Sequence, residues 1–147
     1  MYSLTLAMPA PSFEHFEHPA DMGIRGFGRT RDEAFEQAAL ALTAVLVPPE
    51  AIVAREIVQV ACSAPDDELL LLDWLNALVY QMATRRMIFA QFTVRIDGER
   101  LDGELVGEAL DVARHQPGVE VKAATAAALR VAQLADGSWL AQCVVDV

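Results

Sequence analysis

The sequence predicts an α+β fold of antiparallel β-sheets with two helices in the middle of the chain. Three observations carry this reading. Segments rich in alternating or β-branched residues occupy both ends, two helical stripes lie between them, and Asp-Gly turn signals at 97–98 and 136–137 join neighbouring strands. At 147 residues, 54% hydrophobic and 22% charged, the chain is expected to form one packed domain over 13–147 behind a loose extension over 1–12.

Each element follows from local chemistry. Residues 12–18, Ser-Phe-Glu-His-Phe-Glu-His, alternate well enough for a first strand, with Phe13 and Phe16 only partly in step. Pro19-Ala20-Asp21 breaks it, and 22–27 forms the second strand among Gly23, Gly26 and Gly28. Thr30 and Glu33 make a capping box that opens a helix with Phe35, Ala38, Ala39, Leu42, Val45 and Leu46 on its apolar side. Pro48-Pro49 stops that helix. A strand is expected over 52–62, where Ile57, Val58, Val60 and Cys62 favour extended backbone.

Pro65-Asp66-Asp67-Glu68 opens the second helix, its acids suited to the positive end of the helix dipole. The buried stripe is Leu71, Trp74, Leu75, Leu78 and Met82, and Arg85-Arg86 suit the C-terminal end. The rest reads as β: 89–96, a turn at Asp97-Gly98, then 101–107. A loop over 108–118 carries His115, a long strand covers 119–134, and 139–147 closes the sheet.

Charge and targeting narrow the function. Eleven basic against 21 acidic residues give −10, which disfavours a nonspecific grip on a phosphate backbone. It suits a basic protein partner or a cation site, so no direct nucleic-acid binding is expected. The start lacks the basic region of a signal peptide, and the apolar run 69–72 is far too short to cross a bilayer. Cys62 and Cys143, without CxxC spacing, read as buried free thiols. A soluble, cytoplasmic protein is expected.

Few residues could carry chemistry. There is no Walker loop, no GxGxxG and no nucleophile elbow. His15 and His18 would point to opposite faces of a strand and could not share a metal there; one exposed and one locally bonded ring is expected. Asp21 sits in the turn before the second strand, and Asp146 follows the buried run Cys143-Val144-Val145. An acid in such a place is either a solvated strand end or a ligand. The carboxylate of Val147 lies one residue on, and three carboxylates gathered together would repel unless a hard cation neutralised them.

The segment His18-Pro-Ala-Asp-Met-Gly-Ile-Arg-Gly-Phe-Gly28 resembles the opening signature of the archease family, H-T-A-D-x-G-I-x-x-x-G. Three further blocks are similar to archease in the same order. They are 72–80 on the second helix, Gly107-Glu108 with His115 and Val121-Lys-Ala-Ala-Thr125, and the ending 137–147. The resemblance implies a β-sandwich of antiparallel sheets flanked by two helices. It also implies a protein cofactor that helps the GTP-dependent tRNA-splicing RNA ligase become guanylylated and turn over repeatedly, without joining RNA itself. The family's metal site falls on Asp21, Asp146 and Val147, an oxygen-only set for a divalent cation: Ca²⁺, Mg²⁺ or Mn²⁺. Its functional lysine falls on Lys122, which by position alone would be an ordinary exposed strand lysine.

Two positions depart from the pattern. Pro19 stands where Thr is common, and Ala126-Ala127 stands where the family has an aromatic or small residue and then a histidine. Two other classes remain open beside the ligase activator. One is a metal-dependent hydrolase using Asp21 and Asp146 to activate water; the other is a chaperone-like interaction module with an exposed apolar patch and no cation.

Overall fold

The computed structural model describes residues 8–147, so residues 1–7 of the expected extension lie outside the described residues. Strand β1 (Ser12–His18) turns through Pro19-Ala20 into β2 (Asp21–Gly28), with His18 paired to Asp21 across the turn. Ala20 takes φ 62, the left-handed position that follows Pro in a type II turn. Helix α1 (Arg31–Leu46) starts as expected: Thr30 Oγ1 accepts from the Glu33 amide at 3.1 Å. Glu33 reaches back to the Arg29 amide at 2.8 Å, one residue before the cap.

Pro48-Pro49 leads into a 3-10 turn, Pro49–Ala51, so β3 (Glu56–Ser63) begins later than expected. Asp66 caps α2 (Asp67–Arg85) by accepting from the Leu69 amide at 2.8 Å. Strands β4 (Met87–Asp97) and β5 (Arg100–Ala109) follow, the latter running past the expected end at 107. The expected loop contains a short helix, α3 (Val112–His115). The expected long strand opens only at β6 (Ala123–Gln133), because Gln116 turns left-handed and the Gly118 amide bonds Leu46 at the end of α1. Strand β7 (Trp139–Asp146) completes the fold.

The expected α+β class of antiparallel sheets is what the structure has: four strands in the order β1-β2-β7-β6 and three in the order β3-β5-β4. Both helices stand between the sheets rather than outside them. Helix α1 packs on β1, β2 and β7 on one side and β4 on the other, while α2 packs on β6 and on β3, β4 and β5. Small residues make this possible. Ala34, Ala38, Ala39 and Ala41 are fully buried on α1, and a Cβ at Gly26 would run into the backbone at Ala34 and Ala38.

Trp74 of α2 anchors the middle layer. It is fully buried, lies against Gly103 of β5, and meets the Phe92 ring edge-on at 6.2 Å. Its indole N–H donates to the Phe35 carbonyl of α1 at 3.0 Å, tying the two helices together. Trp74→Ala is expected to lower the urea-unfolding free energy by about 3–5 kcal/mol through the cavity it leaves. Trp74→Phe should cost less, since it empties less of the space and removes only the indole bond to a Phe35 carbonyl that lies inside α1.

Candidate functional site

The larger sheet gathers the residues expected from sequence at one of its ends. Met22 of β2 pairs with Val145 of β7, so one step further along the same register Asp21 faces Asp146. On the other side of β7, Ala123 pairs with Asp146, and the Lys122 amide donates to the Asp146 carbonyl at 2.8 Å. Paired residues in an antiparallel ladder send their side chains to the same face. Asp21 and Asp146 therefore share a face, opposite the one on which Val145 is buried in the core. Val147 follows directly.

The Val121-Lys-Ala-Ala-Thr125 block is held from both sides. Asn76 of α2 acts as a substitute strand for Ala124: its Oδ1 accepts from the Ala124 amide at 2.9 Å and its Nδ2 donates to the Ala124 carbonyl at 3.1 Å. Thr125 Oγ1 donates to the Val144 carbonyl at 2.8 Å. Val121 and Ala124 are buried, which leaves Lys122 as the exposed member. It is the only lysine in the chain. The ion pairs among the described residues leave Lys122, Asp21 and Asp146 out.

Whether a cation suits these residues can be asked of the donors themselves. Among the described residues no three His, Cys, Asp or Glu side chains come close enough to hold a metal ion. The expected set has only two such side chains, with the Val147 carboxylate as third donor. Asp21 lines an open hollow of about 500 Å³ with Glu17, His18, Pro19 and Met22. His18 Nδ1 is buried beside it without any hydrogen-bond partner. Asp21 is the member of the expected set that lines this hollow, and its carboxylate, in none of the ion pairs among the described residues, is the kind of oxygen donor a hard cation takes.

The two N-terminal histidines differ from expectation in detail. His15 Nε2 contacts the Ala41 carbonyl of α1 at 2.8 Å, a tertiary rather than local contact, and His18 is the orphan. Where the family histidine is missing, the register slips between Thr125 and Arg130, so 126–129 bulges from the sheet. Ala126, Ala127 and Ala128 are exposed there, and Ala128 takes φ 52. Both cysteines are free: burial raises Cys62 to about 11 and Cys143 to about 12, keeping them protonated and unreactive. No helix of the described residues is long and apolar enough to cross a membrane.

A second cluster had no assigned role in the sequence. Glu108, 4% exposed, accepts from Arg114 at 2.5 Å and from the Val53 amide at 2.7 Å, with Arg55 3.6 Å away. The equally buried His115 takes the Asp111 amide proton on Nδ1 at 2.9 Å, which puts its own proton on Nε2 for Glu108, 3.0 Å away. This knot fastens α3 and the segment before β3 to the end of β5. The open groove beside it, about 660 Å³ and lined by Arg55, Glu56 and Arg114 among others, borders bonds already made. The Arg114 bond, then the Val53 amide, pull the Glu108 carboxyl down to about 2 against the effect of burial.

The model of the archease protein family matches residues 13–147. Protein archease of Thermococcus gammatolerans is 40% identical over 139 residues, covering 92% of this chain and 98% of the relative. That of Methanosarcina barkeri is 34% identical over 142 residues, covering 92% and 95%. The solution structure of a Methanobacterium thermoautotrophicum protein superposes with a TM-score of 0.80 at 30% identity, covering 92% of this chain and 99% of that one. The crystal structure of a Thermotoga maritima archease, described as a possible chaperone, gives 0.59 at 18% identity over 90% and 94%, a likeness of fold.

The Glu108 knot makes a pH prediction. A carboxyl lowered in the folded state from 4.5 to about 2 adds stability above its unfolded value and loses it as pH falls through that window. Urea midpoints of the wild type should therefore fall more steeply between pH 4.5 and 2 than those of Glu108→Gln, which should also be the less stable protein at neutral pH. Parallel acid limbs for the two proteins would show that the knot does not hold the ionised carboxylate.

Proposed function

The chain belongs to the archease family, and from that premise we propose that it is a metal-binding protein cofactor of the GTP-dependent RNA-splicing ligase. It promotes guanylylation and repeated turnover of that ligase in tRNA splicing or RNA repair, acts in the cytoplasm, and is not itself an enzyme. The observation that supports this most is the register of β7. It sets Asp146 between Asp21 on one side and Ala123 on the other, with the chain's one lysine at the next position.

Asp21, Asp146 and the Val147 carboxylate are the groups that would hold the cation, Ca²⁺, Mg²⁺ or Mn²⁺ by their chemistry. Once bound, such a cation supplies a hard positive centre that attracts phosphate oxygens. Asp21 and Asp146 would present their carboxylates to it from adjacent strands, which fix their backbones, and the hairpin turn at Pro19-Ala20 fixes the approach to Asp21. Lys122, one residue before the partner of Asp146, would offer a compact positive charge to a phosphate or an acidic group of the partner. Asn76 and Thr125 hold the lysine's strand in place while leaving its ammonium free.

Calorimetry with Mn²⁺ or Ca²⁺ tests the ligands. Asp21→Asn is expected to weaken binding by about tenfold or more, since it removes one of three charged donors. A C-terminal extension, which turns the Val147 carboxylate into a neutral amide, should do the same. Equal affinity in all three proteins would remove the site from the account.

Lys122→Ala separates function from stability. The exposed side chain makes none of the ion pairs found among the described residues, so its loss should change the unfolding free energy by less than about 1 kcal/mol. Ligase guanylylation stimulated by the mutant should drop sharply. Full stimulation would reject the role, and a fallen melting temperature would make Lys122 a structural residue instead.

A further inference from the structure

The two sheets have four outer strands, and three of their edges are guarded. On β4 the Val94 amide is taken by Glu36 of α1 at 2.9 Å. On β6 the Ala124 amide is taken by Asn76 and the Val131 amide by Glu68 at 3.1 Å, and the bulge at 126–129 twists the rest away. Strand β1 carries Glu14, His15, Glu17 and His18 within seven residues, charge enough to discourage a neighbour. Strand β3 has none of these devices. From Ile57 to Ser63 it reads Ile-Val-Gln-Val-Ala-Cys-Ser without a charge, and its register against β5 runs unbroken from Glu56–Gly107 to Ser63–Arg100.

The ladder shows which groups are free. Continuing the same register, the Ala64 amide donates to the Glu99 carbonyl at 3.0 Å, so the even-numbered residues of β3 bond toward β5. The N–H and C=O groups of Ile57, Gln59, Ala61 and Ser63 therefore point to the open edge. No hydrogen bond among the described residues takes them. Their side chains lie on the solvent face, where Ile57 is 60% exposed.

The surroundings of this edge are acidic on both faces. On the solvent face Glu104 pairs with Gln59 and Asp102 with Ala61, one strand in. The other face is the one on which α2 packs against β3, and Asp73 is an exposed acid of that helix. Glu56 is exposed at the strand's start. Among the described residues, Asp102 is the one of these acids that is paired, by Arg100 at 2.8 Å. Arg95 of β4 stands opposite Asp102 across β5, and Arg55 leans toward Glu108.

We propose that the open edge of β3 receives an extended, basic segment of a partner protein, which joins the smaller sheet as a fourth strand. Main-chain bonds to Ile57, Gln59, Ala61 and Ser63 would hold the segment. Its side chains would reach toward Glu104 on one face and Asp73 on the other, so Lys or Arg at neighbouring positions, carried on both faces, is the matching chemistry.

The probe is a synthetic peptide of alternating Lys-Lys and Val-Val pairs, which carries Lys on both faces of an extended chain, with its Glu-Glu and Val-Val counterpart as control, followed by amide NMR of labelled protein. The Lys peptide should slow hydrogen exchange at Ile57, Gln59, Ala61 and Ser63 by about tenfold or more, and the Glu peptide should not. Gln59→Pro removes a free edge amide without touching the β5 ladder, and should abolish binding while leaving the rest of the spectrum in place. Asp73→Lys, which leaves β3 untouched, should weaken binding about fivefold or more and decides the matter if Gln59→Pro does not fold. Binding unchanged by both variants, or equal binding of the two peptides, would overturn the proposal. So would a dimer of the wild type that Gln59→Pro dissolves, because the edge would then belong to a second copy.

Discussion

Strand β7 is the constraint on which the site depends. It is central to the larger sheet, with β2 on one side and β6 on the other, and its inner residues Ala141, Cys143 and Val145 are buried against the helix layer. A slip of one residue would turn those three outward and send Asp146 into the core. The burial that fixes the register thus also fixes where Asp146 stands and which residues of β2 and β6 meet it. Stability and site share one cause, and the acids at the strand end need no machinery of their own to be positioned.

The helix layer transmits the same order to the third strand. Helix α2 is locked by Trp74, wedged between Phe35, Phe92 and Gly103, and two residues later Asn76 grips Ala124 of β6 by both of its backbone groups. Strand β6 is an outer strand with a bulge in its middle, so without that grip only its bonds to β7 would align Lys122. A side-chain amide standing in for a neighbouring strand is a specific device: it satisfies a donor and an acceptor at once and tolerates little displacement. The position of the chain's one lysine follows from it.

Much of this was legible in the sequence, and the boundary is physical. The caps at Thr30 and Asp66, the Pro48-Pro49 stop and the two Asp-Gly turns act within a few residues, and they stand in the structure where local chemistry put them. Asp21 and Asp146 were singled out by their places beside a turn and a buried run. That they face each other depends on β7 inserting between β2 and β6, a long-range choice without a local signature. The helices between the sheets left a faint trace in the alanines of α1, which is buried on more than one side. The Glu108 knot was hidden for a similar reason. His115 and Arg114 are close in sequence, but Val53 and Arg55 come from the other side of α2, and the four residues of α3 are too few to show a period. The slip at 126–129 falls in a run of alanines, where nothing marks a bulge.

The most direct test of the central claim is where a cation sits. Titrating labelled protein with Mn²⁺ at low stoichiometry broadens the amide signals nearest the bound ion, whichever acids hold it. Early, saturable broadening is expected, confined to the region around Asp21, Lys122, Ala123, Asp146 and Val147. Early broadening centred instead on the acids of Asp66, Asp67 and Glu68, or on Asp102 and Glu104, or spread evenly over the acidic surface, would contradict it.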